Sequence, residues 1–436
     1  MNIEIKIENY IAAIDEKIEQ QVNVILHHKK FQKLEASWRG LFYLIQQIIQ
    51  LNTHLIKIRI FNISYSELYK DLFQASDFDQ STIFKRVYSD EYDQAGGEPY
   101  GLLIGDYFVS HKIKKNSIDG IGFLQEMSKV AAASFSPFVT AVDAGFFGLD
   151  DFTELQSPIN LFQILQQEEY KRWRMMRQAE DMRFVGLLLP EVLMRRPYQN
   201  EWHIISETAR FVEDYLWGNP CYHYAARVMQ VFAENGWFAN ICGLEKKEED
   251  LMDQQHDHVD LNERGMMAKK YLAKIHLTDQ QERDLSQLGF IPFCETRYSK
   301  WPVFYSSQSL QQPMLYNVEA ANDNAKLSKQ LPYLLCACRF SHYLKIMLRN
   351  KIGSLLSAED CQQYLQNWLL QYCSANADLP NSLKVKYPLS KGKIEVKSQN
   401  GLPGNYICLM YLKPHYQFDA IQSELRLVSH LSLMKN

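Results

Sequence analysis

The far end of the chain carries a β-hairpin that looks unfinished. From Lys393 to Lys397 the residues alternate, with apolar Ile394 and Val396 set between Lys393, Glu395 and Lys397. That is a strand with one buried face. A long turn follows, Asn400-Gly401-Leu402-Pro403-Gly404, and the returning segment from Tyr406 to Leu412 is apolar at every position. Such a strand wants cover on both faces. Two strands alone are marginal in water, and an open edge beside them is a template for another chain. The feature points to assembly rather than catalysis.

The rest of the chain is long enough for two or three domains and a large core: 436 residues, 46% hydrophobic and 22% charged. Aromatics reach 13%, which suits large packed interfaces and large cores alike. A net charge of −4 leaves no nucleic-acid footprint. The eight cysteines begin only at Cys221 and include no Cys-x-x-Cys pair. Cys336 and Cys338 flank Ala337 in a helical stretch, where their side chains point about 200° apart. Reduced thiols in a cytoplasmic protein are the reading, with no cofactor implied. The residues Met1–Glu8 hold no signal-peptide core, and no apolar run approaches the roughly 18 residues of a membrane span.

Helices and strands alternate irregularly, which predicts a mixed α/β or α+β fold. Ile11, Ile14, Ile18, Val22 and Ile25 lie at helical spacing between Tyr10 and His28, a narrow apolar stripe that fits one neighbour. A second helix is expected over Phe31–Leu51, then an alternating strand over Leu55–Phe61. Ser64 or Ser66 caps the helix that follows. Further strands are expected at Leu102–Phe108, Phe138–Val142, Phe184–Leu189, Phe290–Phe293 and Trp301–Ser306. Helices are expected at Ile118–Phe135, Glu168–Met182, after Pro220, and at Thr278–Leu288, where Gly289 takes the C-cap position. Asn324–Arg349 reads as a long helical stretch interrupted near Pro332, and Ala358–Tyr372 as one more helix. This divides the chain into an N-terminal helical arm (1–51), a central α/β region (52–330) with a mobile loop near 246–260, and a C-terminal region (331–436) that ends in the hairpin.

Candidate chemical sites are thin. Gly96-Gly97-Glu98-Pro99-Tyr100-Gly101 lacks the Lys-Ser/Thr of a phosphate loop and the dinucleotide spacing, and reads as a structural turn. His256, Asp257, His258 and Asp260 resemble a metal cluster but sit in an acidic loop without rigid support, so a solvated loop is expected. Arg172, Arg174, Arg177, Glu180, Asp181 and Arg183 read as an ion-pair network. No local nucleophile elbow or zinc-protease motif is present.

One ordered series of motifs is more telling: Phe31-Gln-Lys-Leu-Glu-Ala-Ser-Trp-Arg-Gly-Leu41, Gly96-Gly-Glu-Pro-Tyr-Gly-Leu-Leu-Ile-Gly-Asp-Tyr107, Glu180-Asp-Met-Arg-Phe-Val-Gly186, Tyr215-Leu-Trp-Gly-Asn219, Gln330-Leu-Pro-Tyr-Leu-Leu335, Arg339-Phe-Ser-His-Tyr-Leu-Lys345 and Lys351-Ile-Gly-Ser354. From about Tyr10 to the C-terminus the chain resembles the large sheath subunit of the bacterial type VI secretion system, the TssC/VipB family. The acidic stretch Leu244–Leu251 departs from the glycine-rich segment usual there.

The resemblance implies a contractile-sheath fold and a structural role. Members pair with a small subunit, TssB/VipA, and polymerise with further copies into a hollow helical sheath around a tube of Hcp rings. The sheath stands on a baseplate, and the ATPase ClpV dismantles it after contraction. By that match the partner-contact residues are Ile394, Val396, Tyr406, Cys408, Met410 and Leu412 in an intersubunit sheet, and Ile11, Ile14, Ile18, Val22 and Ile25 on the first helix. Lys345, Arg349 and Lys351 are the candidates to face the tube. An enzyme of unknown chemistry or a soluble adaptor or chaperone is the competing reading.

Overall fold

The computed structural model describes residues 3–94, 96–111, 118–157, 159–198, 206–209, 212–238, 241–243, 259–261, 269–295, 302–351, 358–374, 387–398, 406–414 and 425–431. Its architecture is mixed helix and sheet, as the sequence predicts. Two long helices come first, α1 (Ile3–Leu26) and α2 (Lys29–Leu51). The His28 side chain accepts from the Lys30 backbone N–H and so caps α2, which ends at Asn52 in the left-handed region.

The strand expected over Leu55–Phe61 does not form. The segment pairs with no strand among the described residues. Its alternation is nevertheless used, because Ile56 packs on the core while Leu55, Ile60 and Phe61 stay exposed. The polar positions hold it down instead: Lys57 pairs with Glu98, and Arg59 with Glu91. The segment borders a largely apolar cleft of about 1080 Å³. Helix α3 (Tyr65–Gln74) follows, with Ser64 and Glu67 forming a reciprocal capping box. The glycine-rich turn is structural, as expected. Gly96 has φ 85°, and Gly97 lies so close to the Glu91 carbonyl that a side chain has no room.

The body is built on a five-stranded sheet. Strands β1 (Leu103–Val109), β2 (Phe138–Val142) and β3 (Val185–Leu189) run parallel. Two short ladders lie outside it: β4 (Val192–Arg195) with β5 (Leu216–Gly218), and β6 (Val259–Leu261) with β7 (Lys269–Tyr271). Strand β8 (Phe290–Glu295) pairs parallel with β3, and β9 (Pro302–Phe304) closes the sheet antiparallel, giving the order β1-β2-β3-β8-β9. Every residue of β2 and β3 is buried, the signature of a parallel sheet covered on both faces. Helix α4 (Gly120–Ser134) links β1 to β2, with Asp119 as its N-cap. Helix α5 (Cys221–Asn235) ends at Gly236 with φ 73°, and α6 (Asp279–Gln287) is capped by Thr278 and followed by Gly289 with φ 88°.

Two further expectations change. The single helix expected over Glu168–Met182 breaks into a 3-10 turn (Glu168–Tyr170), a short α-helix (Lys171–Met176) and a second 3-10 turn (Glu180–Phe184). Its arginines mostly serve carbonyls rather than carboxylates. Arg174 donates to the Leu165 and Gln167 carbonyls, and buried Arg177 to that of Leu310 at 2.9 Å. Among the described residues Arg172 pairs with an acid, Asp119, at 2.8 Å. Burial pulls the Arg177 guanidinium down to about 10.

The interrupted stretch is two helices, α7 (Glu319–Ser328) and α8 (Leu331–Lys351). Pro332 falls in the first turn of α8, where its missing N–H costs nothing. Helix α9 (Ala358–Leu370) precedes the last sheet. One core cluster runs from Leu68 to Leu412 and includes both sheets.

Candidate assembly surfaces

The two N-terminal helices are attached to the body by polar contacts and by one tight seam. On α1, Glu19 accepts from the Ser206 N–H at 2.8 Å, and Asn23 both donates to the Ser206 carbonyl and accepts from the Thr208 N–H. On α2, the inward face carries Ala36, Gly40, Leu44 and Gln47. Gly40 lies on the Tyr222 ring of α5, with no space for a Cβ. Glu35 reaches Arg195 on β4 with Oε1 2.5 Å from Nε, and Glu207 takes the same guanidinium through Nη1 at 2.5 Å.

The outward face holds the large apolar residues. Trp38 is 64% exposed, and Phe31, Leu34, Phe42, Ile45 and Ile49 are exposed with it. Their spacing of three and four residues draws one stripe along α2. On α1, Ile7, Ile11, Ile14, Ile18 and Ile25 are exposed, while Val22 is half-buried. The helix starts earlier than its stripe suggested and spans about 36 Å. So the candidate residues on α1 other than Val22 are exposed, and α2 exposes an apolar stripe of its own.

The C-terminal hairpin is a three-stranded antiparallel meander. Strand β10 (Leu389–Ser398) pairs with β11 (Tyr406–Pro414), and β11 pairs with β12 (Leu425–Leu431). The third strand was missed, although Leu425, Leu427 and Leu431 alternate with Arg426, Val428 and His430.

Ile394, Val396, Cys408, Met410 and Leu412 are all buried in the subunit's own core. The sheet lays that face on α9, and Gly392 lets the strand come close: a Cβ there would meet Leu369 Cδ2 at 2.7 Å. Leu409, on the other face of β11, is buried too, as an all-apolar strand requires. The Tyr406 side chain lies outside the described residues. What the sheet can still offer a partner is backbone.

Of the three candidates to face the tube, all on α8, Lys345 is half-buried. Its ammonium sits 4.7 Å from the Tyr92 and Phe135 ring centroids and 4.9 Å from that of Tyr88. Burial pulls its pKa down to about 8, with Asp93 opposing. Its charge is therefore engaged inside the subunit. The side chains of Arg349 and Lys351 lie outside the described residues. One turn earlier His342 is buried, its Nε2 donating to the Ser134 carbonyl at 3.2 Å.

The described residues give no sign of a catalytic or metal centre. No group of three metal-ligating side chains occurs among them. His256, Asp257 and His258 lie outside the described residues, and Asp260 falls in β6. The eight cysteines are unpaired, and burial pushes Cys336 up to about 11 and Cys338 higher still. No described helix is long and apolar enough to cross a membrane.

Comparison with known proteins gives these surfaces a context. Residues 8–311 match the EvpB/VC_A0108 tail sheath N-terminal domain, and residues 320–431 the EvpB/VC_A0108 tail sheath gpW/gp25-like domain. The type VI secretion system sheath protein TssC1 of Pseudomonas aeruginosa is 38% identical over 443 residues, covering 98% of this chain and 86% of that protein. A chain in a cryo-EM structure of the anti-feeding prophage baseplate aligns over 88% of this chain and 80% of its own length. At 10% identity and a TM-score of 0.38, that likeness is too distant to bear on function. The two sheath domains together span nearly the whole chain, and the family is structural rather than enzymatic: this protein belongs to the VipB/TssC tail sheath family of type VI secretion systems.

Proposed function

We propose that this chain pairs with the small sheath subunit of its system, TssB/VipA, through the apolar stripes of α1 and α2. The pairs polymerise in the bacterial cytoplasm into a hollow helical sheath around an Hcp tube. Contacts between copies are heterologous and do not close, so the product is a tube rather than a ring. Contraction then propels the tube, the baseplate anchors one end, and ClpV recovers the subunits afterwards. Arg349 and Lys351 remain the candidates to face the tube, since Lys345 is occupied by three rings. The three-part division of the chain goes with this reading: an arm for the small subunit, a rigid body, and a C-terminal sheet for neighbours.

One observation carries the proposal. A run of large apolar side chains on two adjoining helices, Trp38 among them, faces solvent in the isolated subunit. Stripes of exposed apolar side chains of this kind mark an interface. The test is co-expression with the small subunit, followed by electron microscopy. Hollow tubes that vanish for Trp38→Asp, while the variant subunit stays folded, are the expected result. A well-behaved monomer that ignores the small subunit would refute the reading.

A further inference from the structure

The outer edge of β10 is closed from within the chain. In the β10–β11 ladder, Gly392, Ile394 and Val396 stand opposite Leu412, Met410 and Cys408. On the side away from β11 they meet side-chain amides of α9. The Ile394 N–H donates to Gln366 Oε1 at 2.8 Å, and Gln366 Nε2 donates to the Gly392 carbonyl at 2.9 Å. The Val396 N–H donates to Gln362 Oε1 at 3.0 Å.

The spacing explains why two glutamines suffice. Four residues of helix rise about 6 Å, and alternate residues of a strand are about 6.8 Å apart. Amides one turn apart therefore serve alternate strand positions. At the start of β10 the backbone takes over: the Ser374 N–H donates to the Leu389 carbonyl at 2.9 Å, and the Leu389 N–H to that of Tyr372.

We propose that Gln362 and Gln366 keep this edge shut, so that an extended segment of a neighbouring sheath subunit adds to the C-terminal sheet only on the opposite side, where β12 lies beyond β11. The inference rests on the assembly reading above and adds to it which edge is used and which residues decide it. An incoming strand needs alternate free N–H and C=O groups. Along β10 the Gly392 carbonyl and the Ile394 and Val396 N–H groups, which it would need, are already bonded, and Gly392 lets the helix pack closely against the strand.

Hydrogen exchange on the full chain with its small partner, before and after polymerisation, tests this. Residues 389–398 should exchange slowly before assembly and change little on polymerisation, while residues 425–431 slow by about tenfold or more. New protection of 389–398 on polymerisation would overturn the edge assignment and leave the assembly reading intact.

The double variant Gln362→Leu, Gln366→Leu keeps apolar cover but removes both amides. It should speed exchange at 389–398 by about tenfold before assembly and give irregular or laterally aggregated polymers. Gln362→Glu, which still accepts from the Val396 N–H, should behave as the wild type. Ordered tubes and unchanged exchange in the double variant would remove the guarding role. Absence of any tube from the unmutated pair would sink the assembly reading, and this inference with it.

Discussion

Arg195 on β4 and Glu35 on α2 meet with Nε 2.5 Å from Oε1, their side chains only 4% and 12% exposed. Glu207 holds the other side of the guanidinium, and the Tyr198 ring stacks 4.1 Å from its carbon. This contact fixes α2 to the body at a site where water is excluded. Arg195→Met takes the shared guanidinium from buried Glu207 and partly buried Glu35, leaving Glu35 the weaker contact to Arg39 at 3.5 Å. Removing one partner of a buried ion pair costs about 3–5 kcal/mol. Chemical denaturation should show a loss of that size. Glu35→Gln should lose less, because Glu207 keeps the arginine.

The two faces of α2 should respond to mutation in opposite ways. Gly40→Val drives a side chain into the Tyr222 ring, and overpacking of this kind costs about 1–3 kcal/mol. Trp38→Ala removes an exposed ring, and surface changes shift stability by no more than about 0.5 kcal/mol. It should, however, weaken pull-down of the small subunit by at least about tenfold. Equal loss of stability in both variants would contradict the assignment of faces.

His342 makes stability depend on pH. Burial, with Lys345 and Arg339 nearby, pulls its pKa down to about 4, against the favourable bond to the Ser134 carbonyl. A base depressed on folding binds more protons when unfolded, so stability rises with pH through the window from about 4 to 6.5. At about 1.4 kcal/mol per unit, the span of this effect reaches about 3 kcal/mol. The difference in unfolding free energy between wild type and His342→Gln, measured from pH 4.5 to 7, should carry that slope. Parallel curves would rule out the buried neutral imidazole.

Lys274 binds Asp151 at 2.6 Å and Glu191 at 2.5 Å, joining the β3–β4 turn to the capped 3-10 turn at Phe152. Burial raises the Glu191 pKa and Lys274 opposes it. Burial acts the same way on Asp151, but Lys274 and the Thr153 N–H hold it low. Lys274→Met removes the opposing cation. The variant should be least stable, relative to wild type, near neutral pH, and should recover part of the loss as the pH falls and Glu191, already raised by burial, takes up a proton. A deficit that stays constant with pH would show that only packing was lost.

Much of this architecture was legible because it is written in local chemistry. Phe184–Leu189 announced a short buried strand. Gly289 announced the end of the helix that runs from Thr278, and Pro332 marked the break before α8. The stripe Ile11-Ile14-Ile18-Val22-Ile25 gave a helix with an apolar face. The ordered motifs led to the sheath family, which the two domain matches and TssC1 bear out.

Three things were not legible. Leu55–Phe61 has strand alternation, but a ladder needs a neighbour, and the described residues supply ion pairs instead. That the hairpin's apolar residues are core could not be read from the strands alone, because it depends on α9 lying against them. Gln362 and Gln366, two ordinary polar residues on a helix, gain their meaning only because Gly392 brings β10 within reach.

Periodicity, caps and motif order depend on residues close along the chain, so the sequence by itself determined the elements and the family. Which face meets which neighbour depends on segments far apart along it, joined by close packing and by hydrogen bonds that no spacing announces. Only the tertiary structure could decide that α2 turns its small residues inward and its tryptophan out, and that the last sheet is shut on one edge.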